Sequence, residues 1–243
     1  MRSLFSSSAA VVVAAFGLSL GACSSDPAAP ADDPGARLGA AAAGGTAAAG
    51  GSPTGSGGTT GALPPGLNYP AGPYGIVVGS TIADIQFRGL RNPKNANFKF
   101  EGEKVEIISL HDFYNPTKDL SRPRALLVAA SAGWCGPCRL EAAESMANYR
   151  YWQPRGAEFL TTLFDGETAG TPATPADGGG WAKDFKLEYP VVTDPNQKMG
   201  AYANLQAVPF NLVLDLTTMK IVYAQAAVFD STESSPTLTG LLE

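Results

Sequence analysis

Residues 131–141 read SAGWCGPCRLE. Cys135 and Cys138 stand three positions apart, with Gly136-Pro137 between them and Trp134 in front. An apolar run, Ala125–Ala130, leads into the stretch and reads as a buried central strand. Helix is expected from Cys135 to about Trp152, with Pro154 and Gly156 punctuating its end. The cysteine pair could clip the fold, supply half of a metal site, or work as a redox couple.

Ligand supply disfavours the metal. A closed zinc site is almost always four-coordinate in Cys and His. Apart from Cys23, the chain offers only Cys135, Cys138 and its single histidine, His111. Loop length disfavours the clip, because a disulfide stabilises by closing a loop and residues this near in sequence close almost none. Placement favours the redox couple. A thiol opening a helix faces free backbone N–H groups and the positive end of the helix dipole, which favour the thiolate. Thiolate is the nucleophile in disulfide exchange. Cys138, one turn further in, is within disulfide reach and is expected to resolve the mixed disulfide. Pro137 sits in the first turn, where a missing N–H costs nothing.

The N-terminus carries targeting information. Arg2 precedes an apolar run, Ala9–Leu20, too short to span a bilayer and suited to a signal peptide. The run ends in Leu20-Gly21-Ala22-Cys23, which resembles the lipobox of bacterial lipoproteins. That resemblance implies that residues 1–22 are removed and that Cys23 is acylated, anchoring the protein to a membrane. Export places the domain where disulfides persist. Residues 23–67 read as a tether, since Gly39–Ala62 holds only Gly, Ala, Ser, Thr and Pro. As a coil of about 40 residues it spans on the order of 35 Å. Aromatic and β-branched residues return from Asn68, so residues 68–243 read as one domain. The 22 acidic against 17 basic side chains give no reason to expect nucleic acid.

Within that domain, strands are expected at Val105–Leu110, Ala125–Ala130 and Glu158–Phe164. Asp165–Gly180 reads as a long loop. Short helices at Trp181–Leu187 and Pro195–Asn204 flank extended Val191-Val192. Strands Phe210–Asp215 and Lys220–Ala226 form a hairpin about Thr217-Thr218, and a short helix starts at Ser235. The class is α/β, with a mixed sheet. His111 is expected to end a strand, not to act as a base.

Trp134-Cys135-Gly136-Pro137-Cys138 after an apolar strand resembles the thioredoxin superfamily. With the lipobox, the tether and Arg139-Leu140-Glu141, the chain looks most like the TlpA/ResA-like extracytoplasmic thiol-disulfide oxidoreductases. The resemblance implies a thioredoxin-like fold: a central mixed sheet flanked by helices, behind an N-terminal extension. It implies that Pro209 of Val208-Pro209 is cis and faces the cysteines. It further implies that Val208 pairs with substrate backbone and that Trp134, Gly136 and Pro137 border the substrate. Gly-Pro between the cysteines resembles reducing members. The implied activity is reduction of extracytoplasmic protein disulfides, for example in cytochrome c maturation, by a periplasmic, lipid-anchored monomer. Electrons would come from a separate membrane thiol carrier, and no cofactor is implied beyond the Cys135–Cys138 disulfide.

Two departures stand out. Thioredoxins keep a buried Asp where this chain has Ala129, and a helix Pro where it has Ala143. The proton acceptor for Cys138 must come from elsewhere. Glu141 shares a helix face with Cys138, and Glu144 is near in sequence. The rival functions are a peroxidase of related fold and a surface-binding lipoprotein with an inert disulfide.

Overall fold

The computed structural model describes residues 68–93, 105–203 and 207–243. The signal segment, Cys23 and the tether lie outside these residues. Among the described residues, no helix is long and apolar enough to cross a membrane.

Among the described residues seven strands form one sheet: β1 (Gln86–Leu90), β2 (Glu106–Ser109), β3 (Ala125–Ala132), β4 (Ala157–Asp165), β5 (Val191–Thr193), β6 (Phe210–Asp215) and β7 (Lys220–Gln225). Their order is β2-β1-β5-β4-β3-β6-β7. β3, β4 and β5 run parallel, and the remaining pairs are antiparallel. β3 is central because both of its faces are apolar. Leu127 and Ala132 pack in one core, while Leu126, Val128 and Ala130 pack in the other.

Three helices cover the first face: α1 (Gly136–Trp152), α2 (Pro175–Asp184) and α3 (Pro236–Leu242). α1 contributes Met146, Tyr149 and Trp152 to the core, α2 Trp181 and Ala182, α3 Leu238 and Leu242. The second face is filled by Ile82, Ile85 and two 3-10 turns, Leu110–Phe113 and Lys198–Ala201, through Leu110, Phe113 and Met199.

The structure departs from the sequence reading in four places. Asp165–Gly180 is not all loop, since α2 begins at Pro175. Thr174 caps it in a capping box with Asp177, and Pro175 takes the first turn. Three consecutive glycines hid this helix; Gly178 sits against β5, where a Cβ would make an ordinary 3.5 Å contact with Thr193 Cγ2. β1 was not expected at all. Its register shows why Gly89 is there, because a Cβ would lie 2.3 Å from the Val191 carbonyl oxygen. Finally, the described part of the segment expected to be a helix over Pro195–Asn204 holds a 3-10 turn at Lys198–Ala201, and His111 lies inside a 3-10 turn that Ser109 caps.

Candidate active site: Cys135, Cys138 and the cis Val208–Pro209 bond

β3 delivers the chain to the carboxyl end of the sheet, and Trp134-Cys135 make the turn into α1. Cys135 is the N-cap of α1, and its Sγ accepts a 3.1 Å hydrogen bond from the Cys138 N–H. The two cysteines are joined in a disulfide, with Cα atoms 5.3 Å apart. Cys138 is 1% exposed, and Cys135 is also buried. Gly136 and Pro137 between them are exposed. α1 runs unbroken to Trp152, consistent with Ala143 in place of a kinking proline.

The segment before β6 closes the site from the other side. The Val208–Pro209 bond is cis. Cys135 Sγ lies 3.7 Å from the Val208 carbonyl oxygen. Val208 is half-buried and Pro209 buried. This juxtaposition spans 73 positions of sequence and is made by β3 and β6 pairing side by side.

Trp134, 40% exposed, is held rather than loose. Its indole N–H donates to Asp165 Oδ2 at 3.0 Å. The register of β3 on β4 slips between Ser131 and Ala132, which sets Asp165 opposite Ala132. Asp165 also accepts from the Gly170 N–H at 2.8 Å, so one buried carboxylate ties Trp134 to the loop after β4. Arg139 braces the same turn: its guanidinium lies 5.2 Å from the Phe185 ring centroid and donates to the Gly133 carbonyl.

Ala129, where an acid was missed in the sequence, lines a cavity of about 20 Å³ together with Cys138, Glu141 and Asn211. Glu141 thus reaches the space beneath Cys138. Its Oε1 accepts from Asn211 Nδ2 at 2.7 Å and from the Phe229 N–H at 2.9 Å. Burial pushes the Glu141 pKa up, and those two hydrogen bonds oppose the shift. Glu144 points elsewhere: it is exposed and does not line the cavity.

Asp165 and Asn211 escaped the reading of the sequence. The signal for Asn211 was present, as a single amide inside the otherwise apolar run FNLVL of β6. Asp165 carried none, because its role depends on the register slip. Among the described residues there is no cluster of three or more metal-ligating side chains.

No protein-family model and no curated protein matches this sequence. Solved structures do. A proposed thiol:disulfide interchange protein DsbE from Chlorobium tepidum is similar over 70% of this chain and 100% of its own, at 15% identity and a TM-score of 0.50. A proposed protein disulfide isomerase from Bacteroides thetaiotaomicron is similar over 70% and 92%, at 16% identity and a TM-score of 0.50. AhpC from Mycobacterium tuberculosis is similar over 68% and 92%, at 14% identity and a TM-score of 0.51. At these identities the likeness is one of fold. Strand order, the helix-capping cysteine pair and these neighbours agree that the described residues have a thioredoxin-like fold.

Proposed function

We propose that this protein is an extracytoplasmic thiol-disulfide oxidoreductase, tethered to a membrane through Cys23, that reduces disulfides of other proteins. The observation that carries the reading is the Cys135 sulfur, set at the N-terminus of α1 beside the Val208 carbonyl. The Cys138 N–H and the helix dipole favour its thiolate.

In the reaction, the Cys135 thiolate attacks one sulfur of a client disulfide. A mixed disulfide forms and the first client thiolate leaves. The client segment lies extended along Val208, exchanging backbone hydrogen bonds, with Trp134, Gly136 and Pro137 at its border. Cys138 then gives up its proton, attacks Cys135 Sγ, and forms the intramolecular disulfide as the second client thiolate leaves. Glu141 takes the Cys138 proton, the role that Ala129 cannot fill. A membrane thiol-disulfide carrier returns two electrons to the pair. Apocytochrome c is a suitable client class, since its haem-binding thiols must be reduced. The test is reduction of insulin with a supplied reductant; a rate no higher than that of the reductant alone overturns the proposal.

Glu141 makes a two-sided prediction. Its raised pKa means that the folded protein holds this proton more tightly than the unfolded chain. The stability linked to that proton is complete at low pH and is lost as pH climbs through the folded value. Glu141→Gln therefore raises stability at neutral pH, with the gain shrinking in acid. The same change slows resolution by Cys138 by roughly a hundredfold, as for loss of a proton acceptor. Denaturant titrations at two pH values and single-turnover kinetics check both halves.

The likeness to AhpC is one of fold, but it names the assay that separates a peroxidase from a reductase. Peroxide consumption at a rate exceeding disulfide reduction overturns the proposed activity.

A further inference from the structure

Exposed apolar side chains gather at one end of the domain. Nine large ones are exposed among the described residues, and five of them, Tyr74, Ile76, Val77, Val78 and Leu120, belong to two loops. The first loop is a turn over residues 75–79. The Gly75 N–H donates to the Thr81 carbonyl at 3.0 Å, and the Gly79 N–H to the Ile221 carbonyl at 2.7 Å. The turn is therefore held in place, with Val77 64% exposed. The second loop, residues 115–123, is organised by Asn115. Its side-chain amide donates to the carbonyls of Asp119 and Pro123 at 2.9 and 3.1 Å. Leu120 stands out from this loop, 85% exposed.

Both loops lie against the turn between β6 and β7. The Ile82 N–H donates to the Met219 carbonyl at 2.9 Å, and the Asn115 N–H to the Leu216 carbonyl at 2.8 Å. That turn follows Asp215, which pairs with Ala125 at the start of β3. Cys135 follows the opposite end of β3. The eight residues of this strand set the two ends about 25 Å apart. The first described residues also lie at the apolar end. The Tyr69 hydroxyl donates to the Ile82 carbonyl at 3.0 Å, and its ring packs against those of Tyr74 and Tyr114. The segment that leads back to Cys23 therefore joins the domain here.

Apolar exposure this concentrated marks a surface that is covered in use. Its charged neighbours fit a lipid cover. Lys118 and Lys220 are exposed beside the two loops. Asp119 and Asp215 are engaged within their own turns, accepting from Ser121 and from Thr217 and Thr218. Aliphatic side chains flanked by ammonium groups suit the boundary between acyl chains and headgroup phosphates.

We infer that this end of the domain rests on the bilayer to which Cys23 is attached, with Ile76, Val77, Val78 and Leu120 in the lipid interface and Cys135 turned away from it. The inference rests on the proposed tether at Cys23 and adds the surface that meets the lipid. The contact is weak and reversible, because few side chains enter the lipid. Attachment through Cys23 supplies the local concentration that fills it. Docked protein offers its redox pair to soluble clients, and reduction by a membrane carrier takes place when the face lifts.

The experiment is backbone hydrogen exchange, read by mass spectrometry. The acylated protein on vesicles of phosphatidylethanolamine and phosphatidylglycerol is compared with the processed chain carrying Cys23→Ser in solution. Peptides covering residues 74–79 and 118–121 should exchange about fivefold more slowly on the vesicles, and those covering 134–137 at an unchanged rate. Val77→Asp/Val78→Asp should restore the solution rate. Both positions are exposed, so the unfolding midpoint should not move. Leu120→Asp, on the other loop, should also speed exchange at residues 74–79, which a local effect would not produce. Equal exchange on vesicles and in solution overturns the docking, as does protection at 134–137 in place of 74–79. A Cys23→Ser chain that dimerises in solution through a contact split by Val77→Asp/Val78→Asp assigns the face to a second copy and also overturns it. The mass of the N-terminal peptide reports acylation separately. If Cys23 carries no acyl chain, the tether fails, and co-sedimentation of the same protein with the same vesicles decides the docking. Binding that Val77→Asp/Val78→Asp abolishes sustains the lipid face, and equal pelleting of parent and variant overturns it.

Discussion

Cys138→Ser accumulates a stable mixed disulfide between Cys135 and the client, whereas Cys135→Ser forms none. The asymmetry follows from position. Cys135 caps α1 and lies against Val208, while Cys138 is buried one turn deeper, over the cavity. Only Cys135 combines a helix-stabilised thiolate with the surface that Gly136, Pro137 and Trp134 expose. Cys135→Ser should therefore reduce catalysed disulfide reduction to background, a fall on the order of a thousandfold. Non-reducing gels and mass spectrometry of the trapped adduct read the first outcome, and turnover reads the second. A Cys138→Ser protein that traps nothing while Cys135→Ser does would reverse the two roles.

Trp152→Ala should produce the largest loss of stability, about 3–5 kcal/mol. Trp152 is buried at the end of α1, and its indole N–H donates to the carbonyls of Ser231 and Thr232 at 3.0 and 3.1 Å. Truncation opens a cavity and leaves those carbonyls without their donor. Against a total of about 5–15 kcal/mol for a typical domain, this is a large fraction. For a domain of this size it corresponds to a fall in Tm of roughly 10 °C. The consequence reaches the site. Asn148 donates to Ser231 Oγ, so Trp152 and Asn148 together clamp the segment that presents the Phe229 N–H to Glu141. Trp152→Phe, which keeps most of the volume, should lose about 1–2 kcal/mol. Thermal and denaturant unfolding of both variants measures the difference, and a Trp152→Ala protein as stable as the parent contradicts this packing.

The centre of the fold was legible because local signals and long-range packing agree there. Ala125–Ala130 is apolar on both faces, and Cys135 through Trp152 has a start, a Pro in its first turn and a stop. The periphery was less legible. QFRGL of β1 has one aromatic, one charge and a glycine, so its strand state comes from pairing with β2 and β5. In α2 the Thr174 capping box was available, but the glycine run outweighed it in a local reading.

The site divides in the same way. The cysteine pair was found from residue type and spacing, and Val208-Pro209 from the family resemblance. The missing acid at Ala129 was visible through the family resemblance and pointed to Glu141 or Glu144, of which Glu141 shares the cavity with that alanine. What supports Glu141 was not visible. Asn211 and Phe229 meet it across 70 and 88 positions, and no local pattern encodes such distances. Glu144 was carried beside Glu141, although only Glu141 shares a helix face with Cys138. The rotation of α1 turns Glu141 inward and leaves Glu144 in solvent.

The central claim is that Cys135 and Cys138 are a working couple and not a fixed clip. The measurement that addresses it most directly is a redox titration of the pair in thiol–disulfide buffers, read through Trp134 fluorescence. An exchangeable couple should equilibrate reversibly with one two-electron midpoint at about −200 to −290 mV, the range of thioredoxin- and glutaredoxin-type pairs. A disulfide that stays oxidised well below about −300 mV and does not exchange with the buffer would contradict the account.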